Sequence, residues 1–357
     1  MKRIWLLFLI FLLCGCTAAQ QTPTQPQAEQ VLTMQPWDAE GVLSELVPTI
    51  PGGNAFSGCL GFRGNILLWT VDSHRQEECV LEFCLIDPAK GTVAARREVT
   101  MPHAVQPQVY EDALYLCDPE SGTVVELDRS LEITGEWTVP VSSYEDATWY
   151  AANRKLWEFA YDQPLRCLAL GEVYWSEEDA RWTEIRRSIG SVDQHRLSGG
   201  IVSFASGSGD TLRFYALDLT EGTVITPPQG YERYYRSGNV WLGGREESDY
   251  GISVGGGTMR QVIPLDGTLS LLSEGYLLEK SPGDQYLRLY DREGRCISVC
   301  RMWERHDGHV EDLIWNNALG GYVIHYRPSA GGSRLLFWDI QKGTGGADLQ
   351  VQPIQAQ

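Results

Sequence analysis

The chain has 357 residues, with 47 acidic against 29 basic side chains and a formal net charge of −18. A chain this acidic repels phosphate backbones, so nucleic acid is not expected as a partner. It also repels anionic lipid headgroups, so the protein surface alone is not expected to hold a membrane. The length is enough for one large repeat domain or two ordinary domains.

The first fifteen residues have the pattern of an export signal. Lys2 and Arg3 supply positive charge, and ten apolar residues follow, from Ile4 to Leu13. Such a run is too short for a bilayer-spanning helix, which needs about 20 residues. A charged start, a short apolar run and small residues before a cleavage site predict a signal peptide at 1–15. Loss of Lys2 and Arg3 with this peptide makes the net charge −20.

The tetrapeptide Leu13-Cys14-Gly15-Cys16 resembles the lipobox of bacterial lipoproteins, in which an aliphatic residue, a small residue and Gly or Ala precede the modified cysteine. Cys14 in the second position departs from the usual pattern. The resemblance implies that Cys16 carries a diacylglyceryl group, with acyl chains such as palmitate, and becomes the new N-terminus. It implies a lipid-anchored protein on the extracytoplasmic face of the cell membrane. The alternative is an ordinary secretory signal.

Residues 16–35 are predicted to be the lipidated cysteine and a disordered tether. The stretch 20–30 is rich in Gln and Pro and almost free of apolar residues, so it cannot build a core. A tether of this kind lets a folded domain, predicted at 36–357, stand off from a membrane. No later stretch approaches 18 apolar residues, so no spanning helix is predicted.

The cysteines that remain after the signal are predicted to be free thiols. Cys14 and Cys16 account for two of the nine cysteines, which leaves an odd number without a C-x-x-C pair. Neither a zinc site nor a dithiol redox motif is therefore indicated. Cys84 and Cys117 fall in apolar runs, where cysteine behaves as a small buried hydrophobe.

Short apolar runs separated by Gly, Asp, Asn and Pro predict a chain of β-strands. Examples are 66–71, 201–205 and 321–326, which are rich in β-branched and aromatic residues. Many runs are apolar at consecutive positions, as expected of sheets covered on both faces.

One turn, D-x-x-x-G-T, occurs four times after such runs, beginning at Asp87, Asp118, Asp218 and Asp339. The Asp side chain is predicted to accept hydrogen bonds from backbone amides two residues on, and the Gly to supply the positive φ that closes the hairpin. Four copies indicate a repeat architecture.

Two stretches resemble WD-repeats. Gly308-His309, then 28 residues, then Trp338-Asp339 carries both marks of one repeat, and 200–218 resembles the later strands of another. The D-x-x-x-G-T turns are also similar to those of quinoprotein-like propellers. The resemblance implies an all-β fold, a single β-propeller over about residues 56–350, with seven blades favoured and six as the alternative.

The blade units are predicted at 61–99, 105–140, 146–186, 192–227, 236–270, 271–303 and 308–350. The third contains either an extra hairpin, which we favour, or a short helix at 173–183. A strand within 41–49 is predicted to pair with the last blade and close the ring, so that no sheet edge stays free.

No catalytic constellation emerges from the polar residues. His306, Asp307 and His309 cluster, but they read as a turn leading into a repeat, and no metal site or cofactor is predicted. There is no G-x-S-x-G elbow and no phosphate-loop lysine after the glycine-rich stretches. The paired carboxylates are interpreted as solvated loop charges.

Twelve tryptophans are a high count for this length, and most are predicted to pack between blades. The alternative for Tyr174, Trp175 and Trp182 is an exposed aromatic platform that binds sugar rings or a partner protein.

The sequence therefore favours a non-catalytic protein-binding or scaffold module with a cell-envelope protein as partner. The alternative is a propeller enzyme or binding protein that acts on carbohydrate or a small lactone. Converging Asp, Glu or His side chains in the central channel would favour the enzyme. An apolar or mixed lining would favour the scaffold. The fold alone does not decide, because propellers host many activities.

Overall fold

The computed structural model describes residues 31–33, 42–46 and 56–340, with gaps at 73–77, 89, 91, 171–190, 199, 208–211, 246–248, 265, 273–274, 283–285, 294–295, 302–307 and 330–331. The chain divides into two units, Met1–Gln30 and Val31–Gln357. The first unit, with the predicted signal peptide and Cys16, lies outside the described residues. The described part contains no α-helix, and hence no helix that could cross a bilayer.

The described strands form seven sheets, which we call blades 1 to 7. Two strands, β1 (Val31–Thr33) and β2 (Val42–Leu46), precede them. Blade 1 holds β3 (Gly58–Phe62), β4 (Asn65–Asp72), β5 (Cys79–Asp87) and β6 (Thr92–Met101). Blade 2 holds β7 (Gln108–Tyr110), β8 (Ala113–Asp118), β9 (Thr123–Leu127) and β10 (Ile133–Thr138). Blade 3 holds β11 (Thr148–Ala152), β12 (Lys155–Phe159) and β14 (Arg166–Ala169).

The remaining blades follow the same antiparallel order. Blade 4 holds β13 (Gln163–Pro164), β15 (Ser191–Ser198), β16 (Ile201–Ser206), β17 (Arg213–Asp218) and β18 (Thr223–Ile225). Blade 5 holds β19 (Arg233–Ser237), β20 (Val240–Gly244), β21 (Tyr250–Val254) and β22 (Arg260–Ile263). Blade 6 holds β23 (Thr268–Leu271), β24 (Leu277–Lys280), β25 (Tyr286–Tyr290) and β26 (Cys296–Arg301). Blade 7 holds β27 (Gly308–Asn316), β28 (Gly321–Pro328) and β29 (Arg334–Asp339).

The seven sheets form a seven-bladed β-propeller. The strands β3, β7, β11, β15, β19, β23 and β27 lie around one axis and contact neighbouring blades. We call the strands of each blade A to D, from this inner strand outward. The two-residue strand β13 pairs with the start of β15 and is an addition to the four main strands of blade 4. The prediction of seven blades is confirmed, and the short sixth unit is a complete four-stranded sheet.

The ring is closed by a strand from the N-terminal side of the chain, as predicted from 41–49. β2 pairs antiparallel with β29, from Val42 opposite Asp339 to Leu46 opposite Leu335. It thereby supplies strand D of blade 7, whose other strands come from the end of the propeller. Closure of this kind pairs the first blade region to the last and removes the free edge.

Strand β1 adds to blade 5. Val31–Thr33 runs parallel to β22, with Val31 opposite Gln261 and Thr33 opposite Ile263. These residues belong to the range predicted as a tether, 16–35. Val, Leu and Thr suit a strand, and the outer edge of blade 5 offers unpaired backbone groups.

One predicted blade boundary is wrong. Residues 268–270 were assigned to the fifth unit, but Thr268–Leu271 is strand A of blade 6 and pairs with β24. The Asp266-Gly267 pair precedes that strand, and both backbone amides donate to Glu279 Oε1, at 2.9 and 3.0 Å. Asp266 and Gly267 thus lie in a turn, as the sequence predicts, but this turn precedes the first strand of blade 6 and does not lie within blade 5.

The two faces of the disc carry different connections. Since the strands of a blade alternate in direction, B–C and D–A connections lie on one face, the upper face, and A–B and C–D connections on the lower face. The turns that begin at Asp87, Asp218 and Asp339 follow C strands and lie on the lower face. The turn at Asp118 follows a B strand, so it lies on the upper face.

The core lies between the blades. Trp149, Trp157, Trp241 and Trp338 are all fully buried, as predicted for packing tryptophans. The Trp338 indole donates to Ser298 Oγ at 2.8 Å, which links blade 7 to blade 6. The unit marked by Gly308-His309 and Trp338-Asp339 runs from the start of strand A to the end of strand C of one blade.

Candidate functional site

A cavity of about 930 Å³, which we call the axial cavity, is lined by inner strands and connections of blades 7, 1, 2, 3 and 4. Four A strands place a side chain on it at the same register, two residues before the A–B hairpin closes: Leu60, Gln108, Tyr150 and Ile314. Loops from both faces complete the wall, including Arg63 and Asn317 below and His103, Glu120 and Glu145 above. The lining is therefore mixed, with apolar, amide and aromatic groups on the inner strands.

Four upper-face connections around blades 2 and 3, residues 102–107, 119–122, 139–147 and 160–165, form what we call the upper rim. Backbone hydrogen bonds fix the third of them against the second, from Val139 to Gly122 O at 2.8 Å and from Ser142 to Pro119 O at 2.9 Å. The fourth is tied to the third, because the Tyr161 amide donates to Asp146 Oδ2 at 2.9 Å. These connections therefore form one continuous surface.

The upper rim contains a histidine between two carboxylates. His103 Nδ1 lies 3.0 Å from Asp118 Oδ2, and His103 Nε2 lies 3.6 Å from Glu120 Oε2. Asp118 is buried and also accepts from the Glu120 and Ser121 amides and the Ser121 hydroxyl. Its oxygens are thus occupied by the turn. Both nitrogens of the imidazole face carboxylates, so the arrangement fixes the loop at 102–107 and presents no free base.

A second histidine network lies where the ring closes. His325 Nδ1 is 3.4 Å from Asp312 Oδ2, and Nε2 is 3.1 Å from Ser333 Oγ. The order Ser–His–Asp resembles a hydrolytic triad. However, Ser333 Oγ donates to the Phe56 carbonyl at 3.2 Å, and both Ser333 and His325 are buried. The network therefore joins blade 7 to the entry of blade 1.

The upper rim is exposed, acidic and partly apolar. Tyr161 and Val141, at 63% and 57% relative exposure, are the most exposed large apolar side chains of the described residues. The four connections carry the carboxylates Glu120, Glu145, Asp146 and Asp162. No lysine or arginine lies among these residues. The rim thus combines two protruding apolar groups with a uniformly negative surround.

Most sequence-predicted site residues are outside the part of the chain that the structure describes. This holds for Cys16 and for the proposed aromatic surface of Tyr174, Trp175 and Trp182, and those predictions stay predictions. His309 is described and pairs with Glu311 at 2.8 Å, on an exposed strand start. Within the described ranges, no group of three or more His, Cys, Asp or Glu side chains is arranged to hold a metal.

None of the seven described cysteines of the propeller forms a disulfide, and most of them are buried. Burial raises the pKa of the Cys59, Cys84 and Cys117 thiols, that of Cys167 to about 12 and that of Cys296 to about 11. A raised pKa keeps the thiol protonated and unreactive at neutral pH.

Sequence reasoning missed the upper rim. Val141 and Tyr161 stand twenty residues apart in unremarkable Pro- and Ser-containing loops. The hydrogen bond from the Tyr161 amide to Asp146 joins their loops. A cue was present in 139–147, where an exposed apolar residue and two carboxylates follow a strand without any basic residue.

No family model matches the chain, and no curated protein matches it. Solved structures do align with the chain. BamB from Moraxella catarrhalis aligns with 12% identity and a TM-score of 0.41, over 86% of this chain and 100% of that one. The Cps50 (Swd1) β-propeller domain of Myceliophteria thermophila aligns with 10% identity and a TM-score of 0.48, over 84% and 99%. At these values the likeness carries no argument about function, and the fold rests on the seven sheets.

Proposed function

We propose that the protein is a non-catalytic binding module that holds a partner protein on its upper rim. The observation that carries this proposal is the pair of protruding apolar side chains, Tyr161 and Val141, on one hydrogen-bonded surface beside the axial cavity. Binding energy at protein interfaces concentrates in a few such residues, tyrosine prominent among them, surrounded by a polar rim.

The charge of the surface defines the chemistry of the partner. Four carboxylates without a basic residue repel acidic surfaces and attract a segment that carries lysine or arginine. The mixed lining of the axial cavity fits a binding surface better than a reaction centre, because the buried Asp118 is engaged by its own turn. The partner is therefore proposed to present a basic segment with apolar side chains.

The place of action follows from the lipobox. With Cys16 lipidated, the propeller is held on the extracytoplasmic face of the cell membrane, and the partner is a cell-envelope protein. Replacement Cys16→Ser removes the acyl acceptor. We expect the protein to move from the membrane fraction to the soluble fraction of a cell lysate; a Cys16→Ser protein that stays with the membrane would remove this part of the proposal.

The binding surface is tested by site-specific photo-crosslinking of the full chain in its own host. Tyr161 is replaced by p-benzoylphenylalanine, and the matched control is the same replacement at Val254, an exposed residue on the lower face. We expect a discrete protein adduct from position 161 and none from position 254. Equal adducts from both, or none from 161 and from a second probe at Val141, would contradict the proposal.

The charge argument is tested in the same assay. The double substitution Glu145→Lys and Asp162→Lys reverses two exposed rim charges, and Glu98→Lys reverses an exposed charge on an outer strand. We expect the adduct from position 161 to fall at least fivefold with the double substitution and to be unchanged with Glu98→Lys. An adduct that is insensitive to the rim charges would show that the partner is not recognised as a basic segment.

A second candidate, binding of carbohydrate in the axial cavity, is favoured by one observation. The cavity is within the size range of ligand sites and is lined by Tyr144, Tyr150 and Trp315, whose rings suit sugar faces. It is tested by titrating oligosaccharides while monitoring tryptophan fluorescence, with Tyr144→Ala as the variant. A saturable signal that is lost in the variant would favour carbohydrate over a protein partner.

A further inference from the structure

A second cavity, of about 240 Å³, lies between blades 4 and 5, and we call it the blade 4–5 cleft. Its walls come from the A, B and C strands of blade 4 and from strand A of blade 5. The residues that line it are His195, Arg196, Ser203, Phe204, Ala205, Phe214, Arg233, Tyr234 and Tyr235. No carboxylate occurs among them.

The strand register explains which side chains face the cleft. Arg196 pairs with Ser203 across β15 and β16, and Ala205 pairs with Phe214 across β16 and β17, so these four share one face of blade 4. Phe214 also packs on Tyr234 of blade 5, with ring centroids 5.7 Å apart. That face is therefore the one directed at blade 5.

His195 belongs to the opposite face of the sheet. Its ring lies 5.2 Å from Phe159 and 5.7 Å from Tyr150, both of blade 3. Neighbouring residues of a strand point to opposite faces, which agrees with Arg196 facing the cleft. The cationic groups available to the cleft are therefore the two arginines.

Neither arginine has an acidic partner among the described residues, although acidic residues outnumber basic ones by 47 to 29 in the chain. Arg196 Cζ lies 5.5 Å from the centroid of the Tyr235 ring, and Arg233 is exposed at the start of β19. Neither forms an ion pair with any described carboxylate. By contrast Arg245, also in blade 5 and 4.8 Å from the Tyr231 ring, is paired with Asp249 at 3.3 Å.

The Ser203 hydroxyl supplies an independent indication of a ligand. The side chain is 96% buried on this face, and its oxygen accepts from the Arg236 amide at 2.8 Å. Within the described residues the hydroxyl proton has no acceptor. A buried donor normally finds an acceptor, so the described part of the cleft holds an unused donor beside two guanidinium groups that have no described carboxylate partner.

We propose that the blade 4–5 cleft binds a carboxylate carried on a small apolar or aromatic body. The guanidinium groups of Arg196 and Arg233 bind the carboxylate oxygens, since the planar fork of arginine matches a carboxylate. The Ser203 hydroxyl donates a further hydrogen bond, and Phe214, Tyr234 and Tyr235 cover the apolar body. A volume of about 240 Å³ is below that of sites for drug-sized ligands, so the group bound is a small organic acid or one acidic side chain.

The site is separate from the upper rim and opposite to it in charge. The rim attracts cations and the cleft attracts anions, so the two sites have different ligands and fail independently. The carboxylate bound in the cleft can come from a free small acid or from an acidic side chain of a polypeptide. Benzoate represents the first source and a blocked dipeptide the second in the experiments below.

The test is isothermal titration of the full chain with benzoate, with benzamide as its neutral isostere. We expect saturable binding of benzoate and at least tenfold weaker binding of benzamide. The substitutions Arg196→Gln and Arg233→Gln are each expected to weaken benzoate binding at least tenfold, and Ser203→Ala about threefold. Arg196→Lys keeps the charge without the fork and is expected to give an intermediate affinity.

The matched control is Arg245→Gln, which removes an aromatic-stacked arginine of the same blade that already has a carboxylate partner. It is expected to leave benzoate binding unchanged. Thermal unfolding of each variant checks that the propeller stays folded. A parallel titration with the blocked dipeptide N-acetyl-Phe-Glu-amide tests the polypeptide source, and whichever probe binds more tightly identifies the source.

The proposal is overturned if neither probe binds, or if both bind with affinities that Arg196→Gln and Arg233→Gln do not change. It is also overturned if benzamide binds as tightly as benzoate. None of these outcomes bears on photo-crosslinking at Tyr161, so the cleft and the upper rim are judged separately.

Discussion

Two turns of the propeller share a sequence pattern and a local structure but not an environment. In each, the first aspartate side chain accepts the amides of the second and third residues after it, and its carbonyl accepts the amide of the glycine: Asp118 with Glu120, Ser121 and Gly122, and Asp218 with Thr220, Glu221 and Gly222. Both glycines have positive φ, 77° and 66°. The first turn joins strands B and C on the upper face, and the second joins C and D on the lower face.

The difference shows that the local motif closes a hairpin without determining which hairpin it closes. Asp118 is buried and has two further donors: His103, from the connection 102–107, and the Ser121 hydroxyl of the turn itself. The loop at 139–147 also packs on this turn through backbone hydrogen bonds. Asp218 is only partly buried, and its side chain serves its own turn. The same six-residue motif therefore supports the upper rim in blade 2 and ends a strand pair in blade 4.

Addition of one methyl group to the glycine of each turn is expected to separate the stabilities of the two turns most strongly. A Cβ on Gly122 would clash with the Val139 carbonyl oxygen, in addition to the strain of its positive φ. We expect Gly122→Ala to lower the free energy of unfolding by about 3–5 kcal/mol, from left-handed strain and overpacking together. Gly222→Ala is expected to cost about 1–2 kcal/mol from strain. Urea denaturation measures both losses in the free energy of unfolding, provided that the m-value is unchanged by the substitution.

A third glycine serves as the control for that pair. Gly238 has a φ of 54° in an A–B turn, and an added Cβ would meet no atom within 4 Å. Gly238→Ala should therefore report the strain of a positive φ alone, about 1–2 kcal/mol. If Gly122→Ala were no more destabilising than Gly222→Ala and Gly238→Ala, the packing of 139–147 over the blade 2 turn would not distinguish this turn from the others.

Removing the aspartate side chains should give a smaller contrast of the same sign. Asp118→Ala leaves two partly buried amides, the Ser121 hydroxyl and His103 without their acceptor, and we expect a loss of about 2–4 kcal/mol. Asp218→Ala leaves two amides near water, and we expect about 1 kcal/mol. Equal losses in denaturant unfolding would mean that burial and the additional donors do not stabilise the upper-face turn.

Much of the architecture could be predicted from the sequence, because it depends on local signals. The strand pattern and repeated turns predicted a seven-bladed propeller, and the apolar stretch at 41–49 predicted the strand that closes it. The turn chemistry of Asp118 and Asp218 was also predicted correctly. These features depend on residues adjacent in the chain or on the closure that every propeller needs.

The sites could not be predicted, because they depend on which strands become neighbours. The upper rim is assembled from connections around two blades. The Asp118 turn belongs to it because the turn follows the second strand of blade 2, β8, and connections after second strands lie on the upper face. Arg196 and Tyr235 occupy equivalent positions of adjacent A strands, each two residues before its hairpin closes. Their proximity follows from the blade order, which no local pattern encodes.

The smallest effect expected is the most specific test of how the two turns differ. His103 is half exposed, so water replaces much of what it gives Asp118, and His103→Ala alone should cost about 0.5–1 kcal/mol. A double-mutant cycle separates this contact from the rest of the network. We expect a coupling of about 0.5–1 kcal/mol between His103→Ala and Asp118→Ala, and none beyond about 0.3 kcal/mol between His103→Ala and Asp218→Ala. A zero coupling to Asp118 would leave burial and the Ser121 hydroxyl as the whole difference between the turns.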